Sequence, residues 1–127
     1  ADAVDIARKN AQTAGVDQLI TFKVCDFAET PVPSTPGVIM FNPEYGERLG
    51  VHTKLEATYK RMGDFMKQEA KGYRGYIFTG NPDLAKRIGL RASRRVEFYN
   101  GKLDCRLLEY ELYEGSRRES PDAAPLA

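Results

Sequence analysis

The chain is poor in the residues that most often announce chemistry. It has one histidine, His52, and two cysteines, Cys25 and Cys105. The cysteines lie far apart, form no CxxC and have no companion histidines. Neither a zinc site nor a disulfide framework is indicated, and no metal is expected. Two free thiols suit a reducing cytosol, so a cytoplasmic location is expected. His52 has no obvious partner and receives no catalytic role. Charge of one sign is also scarce: 19 Lys and Arg face 18 Asp and Glu, for a formal net charge of +1. The chain is not a polycation, and any nucleic-acid contact needs a local basic patch. No apolar run approaches the roughly 20 residues of a membrane helix. The N-terminus has no signal-peptide core. An initiator methionine is missing too, and the chain opens inside helical sequence. A piece of a longer chain is the expectation.

What is present suits one modest α/β domain within 127 residues. Ala3, Ile6, Ala7, Asn10 and Ala14 follow helical spacing, with Asp2 as a capping residue and Gly15 as the stop. Ile20, Phe22 and Val24 alternate with polar residues and predict a half-buried strand ending at "CDFAE". The proline-rich stretch Thr30 to Gly37 predicts an irregular connection. Val38 to Phe41 is a continuous apolar run, the pattern of a parallel strand covered on both faces. A long helix is expected from about Lys54 to Ala70, with Leu55, Tyr59, Met62 and Met66 packed on its core face. Arg74 to Asn81 predicts a buried strand, and Pro82 opens a short helix. Arg94 to Tyr99 and Leu103 to Leu112 predict a closing hairpin joined by Asn100-Gly101. The second strand alternates imperfectly, which implies a bulge or burial on both faces. Residues 1–114 form the folded part, and residues 115–127 are expected to be a disordered tail. The fold class is α/β: a partial Rossmann-like sheet, mostly parallel, with an antiparallel C-terminal hairpin.

In open α/β sheets ligands bind at the carboxyl ends of the strands. Three such ends carry polar groups here: Asp26, Asn42, and Thr79 with Asn81. Asp26 is open to two readings. It caps a turn, or it accepts hydrogen bonds from the edge of a heterocycle walled by Phe27. The stretch "FNPEYGERLG" is more specific. The Asn42 amide oxygen and the Pro43 carbonyl are adjacent acceptors, and proline fixes φ. Two such acceptors can grip both hydrogens of one NH₂ group. Tyr45 offers a flat face for a ring to stack on. Together they describe a pocket for a planar base with an exocyclic amine. The basic run from Lys86 to Arg95 is open to two readings, RNA phosphate contact or a solvated surface.

"NPEYGERLG" resembles the Asn-Pro-Pro-Tyr-Gly-Glu-Arg-Leu stretch of bacterial large-subunit ribosomal RNA guanine-N2 methyltransferases. "ARKNAQTAGVDQLITFKVCDF" is similar to that family's helix and third strand, and "NGKLDC" to its late hairpin. The resemblance covers nearly the whole chain. It implies a Rossmann-like, S-adenosylmethionine-dependent enzyme acting on ribosomal RNA, often preceded by an RNA-binding THUMP domain. It implies that Asn42, Pro43 and Tyr45 hold the target guanine and that Asp26, with Phe27, faces the cofactor adenine. Glu47 and Arg48 match the motif's continuation and are expected to pair structurally. Glu44 stands where the family usually has a second proline. The family's glycine-rich cofactor loop has no counterpart in this sequence. The motif alone does not separate guanine from adenine-N6 methylation of DNA or RNA. A non-catalytic RNA-binding module that keeps the fold is a further alternative. By the same resemblance the complete sheet runs 3-2-1-4-5-7-6, and this sequence supplies strands three to seven. The strand ending at Asp26 should then have no neighbour in this chain.

Overall fold

The computed structural model describes residues 2–44 and 52–113. They divide into two compact units, residues 1–31 and residues 32–127, each taken by itself. The expected tail, residues 115–127, lies outside the described residues, as do Tyr45, Glu47 and Arg48.

The first unit is built from local interactions. Helix α1 spans Asp2–Ala14. It stops at Gly15, whose φ of +75° is the left-handed conformation that glycine adopts without steric cost. A single 3₁₀ turn, Asp17–Leu19, follows. Arg8 lies over the ring of Phe22, 5.4 Å from its centroid. Ala11 is the one buried residue among residues 2–31. The strand expected from Ile20 to Val24 is not formed. Ile20 has extended backbone, but no ladder includes the segment among the described residues. Alternation supplies a face, whereas a strand also needs a partner for its backbone groups. Ile20 and Val24 are accordingly exposed.

The second unit holds a four-stranded sheet of order β1-β2-β4-β3. Its strands are β1 (Val38–Phe41), β2 (Arg74–Thr79), β3 (Arg94–Asn100) and β4 (Leu103–Glu111). β1 pairs parallel to β2, with Phe41 beside Ile77. β4 lies antiparallel between β2 and β3. This is the 4-5-7-6 portion of the expected order. Helix α2 (His52–Glu69) crosses from β1 to β2. It sends Tyr59, Met62 and Met66 into the core, each nearly inaccessible to solvent. Phe65 meets Phe41 edge-on at 6.4 Å. At Gly63, a Cβ would stand 1.7 Å from the Ile88 carbonyl oxygen. The missing side chain lets the turn Lys86–Ile88 pack directly on the helix.

Three details differ from expectation or refine it. β4 is buried on both faces, and its registers to β2 and β3 run without a break. Its central position, and not a bulge, explains the imperfect alternation. The hairpin loop is Gly101-Lys102, because Asn100 still pairs with Leu103. Gly101 takes φ +65° at the first loop position, as a II′-type turn requires. β1 is covered on one face only: Val38 and Met40 are 65% and 62% exposed, while Ile39 and Phe41 are half-buried. A continuous apolar run says that both faces can be buried; it does not supply the second layer.

Candidate active site at the carboxyl edge of the sheet

The polar groups singled out in the sequence lie in both units, and each unit is described by itself. In the first unit Asp26 has extended backbone. Its Oδ1 accepts a hydrogen bond from the Ala28 amide at 2.9 Å and caps the 3₁₀ turn Phe27–Glu29. The capping role weighed for it is therefore present. A carboxylate has about four lone-pair sites, so the cap leaves capacity for a further donor. Phe27 is half-buried and Asp26 exposed. An exposed acceptor next to an apolar ring suits the edge of a purine such as the adenine of S-adenosylmethionine.

Asn42 follows β1 directly and is exposed, and Pro43 is half-buried. Phe41, the last residue of β1, pairs with Ile77, so Asn42 leaves the sheet near the carboxyl end of β2. The loop after β1 is fastened from below. Tyr59, buried on α2, donates its hydroxyl proton to the Glu44 carbonyl at 2.8 Å. The same oxygen lies 2.8 Å from Thr79 Oγ1. A phenol has one proton, so Thr79 donates to Tyr59. Thr79 Oγ1 in turn accepts from the Asn81 amide at 3.1 Å. The chain of donors thus runs from Asn81 through Thr79 and Tyr59 to the backbone of the Asn-Pro-Glu loop. Position 44 is held through its carbonyl, which any residue provides, so glutamate and proline are interchangeable for this contact.

Asn81 also caps α3 (Pro82–Ala85), its Oδ1 accepting from the Leu84 amide at 3.0 Å. Thr79 and Asn81, noted at a strand end, are thus structural here. The sequence reading took Tyr59 as core packing and missed its hydroxyl. The available signal was general: a buried tyrosine oxygen needs a partner. Among the described residues no group of three or more His, Cys, Asp or Glu could hold a metal. Cys25 and Cys105 are free thiols. No described helix is long and apolar enough to cross a membrane.

This architecture has close counterparts. A structure described as "a possible methylase" from Clostridium difficile 630 superposes with a TM-score of 0.79 at 33% identity, over 90% of this chain and 30% of that one. A second, described as "a putative methyltransferase complexed with SAH", gives 0.78 at 28% identity, over 89% of this chain and 30% of that one. The fold is that of a Rossmann-like methyltransferase. More narrowly, residues 1–109 match the family model for the RMKL-like methyltransferase domain, and the chain belongs to that family. The ribosomal RNA large subunit methyltransferase K/L of Syntrophotalea carbinolica is 40% identical over 116 residues. The match takes in 88% of this chain but spans only 16% of that protein.

Proposed function

We propose that this chain works within a longer protein as the C-terminal part of a catalytic domain, residues 1–114, that methylates the exocyclic amine of a guanine in ribosomal RNA. S-adenosylmethionine is the cofactor, and a THUMP domain elsewhere in the longer protein helps to hold the RNA. What carries this reading is the Asn42-Pro43 acceptor pair at the carboxyl edge of β1, with its loop fastened by Tyr59 through the Glu44 carbonyl.

The amine of guanine is a weak nucleophile because its lone pair is delocalised into the ring. The Asn42 amide oxygen and the Pro43 carbonyl accept its two hydrogens. This favours pyramidal nitrogen and returns electron density to it. Tyr45 stacks on the base after it leaves its neighbours in the strand. Asp26 and Phe27 receive the cofactor adenine. The cofactor supplies an electrophilic methyl group on a sulfonium. The nitrogen would gain a bond to the methyl carbon as the carbon–sulfur bond breaks with its electron pair left on sulfur, and it would give up one proton to water. No strong general base is needed, and positioning carries most of the rate.

The test uses the longer protein, ribosomal RNA and cofactor with a labelled methyl group. The product nucleoside should be N2-methylguanosine. Asn42→Ala should lower kcat about a hundredfold, as for loss of a group that acts in the transition state. Tyr45→Ala should weaken base binding by about 1–3 kcal/mol and Tyr45→Phe by little. Asp26→Ala should weaken the cofactor and leave RNA binding unchanged. Equal, mild effects from all four variants would remove the assignment, and N6-methyladenosine as product would transfer it to the adenine alternative.

A further inference from the structure

A cavity of about 510 Å³ is lined by Thr79 and Gly80, at the carboxyl end of β2. It lies between the helical turn after β2 and the β3–β4 hairpin. Its size falls in the range of about 300–1,000 Å³ usual for small-molecule sites. The floor is apolar: Leu90, Leu103, Leu108 and the ring of Tyr110 line it. The cations Lys86, Arg95 and Arg106 also line it.

These three cations are not equivalent. Arg106 is engaged by Asp104 and by Glu97, the latter at 3.6 Å. Lys86 meets Asp83 only at 3.9 Å, with both side chains in water. Arg95 has no carboxylate partner among the described residues, and it is close enough to Tyr110 to act on its phenol. Burial nevertheless pushes that phenol up to about 12, so Tyr110 stays neutral beneath the arginine. An apolar slot with, at its rim, an exposed ammonium and a guanidinium lacking a carboxylate partner among the described residues matches a ligand with a flat ring at one end and a phosphate at the other.

We infer that this cavity binds one nucleotide of the RNA strand, next to the base held by Asn42, with its ring over Leu90, Leu103 and Leu108 and its phosphate on Arg95 and Lys86. The inference rests on the RNA reading of the Asn42 site. It adds a position from which the enzyme can choose its sequence context. The placement follows from the register. β1 pairs with β2 as far as Phe41 beside Ile77, and Thr79, two residues beyond Ile77 on β2, lines the cavity. On this proposal the strand that presents its target base at Asn42 continues to the cavity. The Lys86–Arg95 run, left between two readings by sequence, divides accordingly. Lys86 and Arg95 line the cavity, whereas Arg87 does not and points to Glu56 at 3.6 Å.

The test is a titration of the 127-residue chain followed by amide chemical shifts. The ligands are guanosine and cytidine 5′-monophosphates, the free nucleosides and inorganic phosphate. A monophosphate should shift the amides of Thr79, Gly80, Arg95 and Leu103. Nucleoside and phosphate should each bind about tenfold more weakly than the nucleotide. Arg95→Gln should reduce nucleotide affinity about five- to tenfold. Arg87→Gln, which removes the same charge outside the cavity, should leave it unchanged. Circular dichroism confirms that both variants fold. No shift up to about 20 mM nucleotide overturns the inference. So does phosphate binding as tightly as nucleotide, which would make the site an anion site alone. Equal loss in both arginine variants overturns it too, since it reports only general charge. An acidic peptide that outcompetes the nucleotide would reassign the cavity to a protein partner. The two proposals separate cleanly. Methylation without nucleotide binding here removes this site and keeps the Asn42 reading. Nucleotide binding here with no methylation by the longer protein does the reverse.

Discussion

The two units of the chain are held together differently. Residues 2–31 bury one residue, Ala11, and make a helix, two 3₁₀ turns and one cation–ring contact. Residues 32–113 bury Tyr59, Met66, Ile77, Cys105 and Tyr110 almost completely and satisfy Tyr59 and Thr79 through each other. In the first unit the features, the Arg8–Phe22 contact apart, have their cause within a few residues of sequence. In the second, the decisive contacts join residues that are far apart. Substitutions should therefore have large effects in one and small effects in the other.

The largest effect is expected at Gly63. Alanine there gains about 1 kcal/mol of helix propensity. Its Cβ would stand 1.7 Å from a backbone oxygen, which cannot rotate away. The clash wins, and Gly63→Ala should lower unfolding free energy by about 3 kcal/mol in a urea titration. Gly75→Ala is the matched control. Its Cβ would stand 2.6 Å from Met66 Sδ, the movable end of a flexible side chain. A loss of about 1 kcal/mol is expected. Equal losses would mean that α2 does not approach the Lys86–Ile88 turn as closely as described.

Next is the hydrogen-bond chain under the Asn42 loop. Thr79→Val keeps the shape but takes a partner from the Tyr59 oxygen and another from the Asn81 amide. It should cost about 1–3 kcal/mol. Tyr59→Phe removes the donor to the Glu44 carbonyl. Water can replace that bond at the exposed Glu44, but the buried Thr79 hydroxyl also loses its acceptor, so about 1–2 kcal/mol is expected. If the chain positions the loop, Tyr59→Phe should also lower kcat in the longer protein at unchanged cofactor affinity. A loss of stability with normal turnover would make it a core contact only.

Tyr110 tests the second unit through pH. Its folded pKa is raised to about 12 from 10.0, chiefly by burial. A raised folded pKa means that this stability is fully present below pH 10 and is lost as pH climbs toward 12. Tyr110→Phe should flatten the fall of stability across that window and change little at pH 7. An unchanged alkaline transition would show that the phenol is not sequestered.

Legibility in the sequence follows the same division. Helix α1 and its Gly15 stop, helix α2 and its buried face, and Pro82 at the start of α3 were all readable, because capping and 3.6-residue periodicity are local. So was the Asn42-Pro43 loop at the end of β1. The order β1-β2-β4-β3 came from the family resemblance and not from periodicity. The hairpin register was misplaced because moving the loop from Asn100-Gly101 to Gly101-Lys102 leaves the same faces paired. The apolar pattern cannot tell the two apart. The cavity was not readable, since its lining comes from separated segments. The open face of β1 and the unformed strand at Ile20–Val24 share a cause: both patterns describe a surface ready for burial, and burial needs a second surface.

The smallest effect is expected at that unformed strand. Ile20 and Val24 are exposed in the described chain. Ile20→Thr and Val24→Thr should each change its stability by less than about 0.5 kcal/mol, the usual range for solvated positions. Removing the ring that Arg8 covers, with Phe22→Ala, should cost about 0.5–1 kcal/mol at most. Hydrogen exchange sharpens the point. The amides of Thr21 to Val24 lack a ladder among the described residues and should exchange near the free-peptide rate, while those of Tyr76 to Phe78 are protected. In the longer protein the alternating pattern of Ile20, Phe22 and Val24 should find its neighbours. There the same amides should become protected, and Ile20→Thr should cost about 1–3 kcal/mol. Protection already present in the 127-residue chain, and rising with its concentration, would instead show that the segment pairs with a second copy, as unpaired strands tend to do.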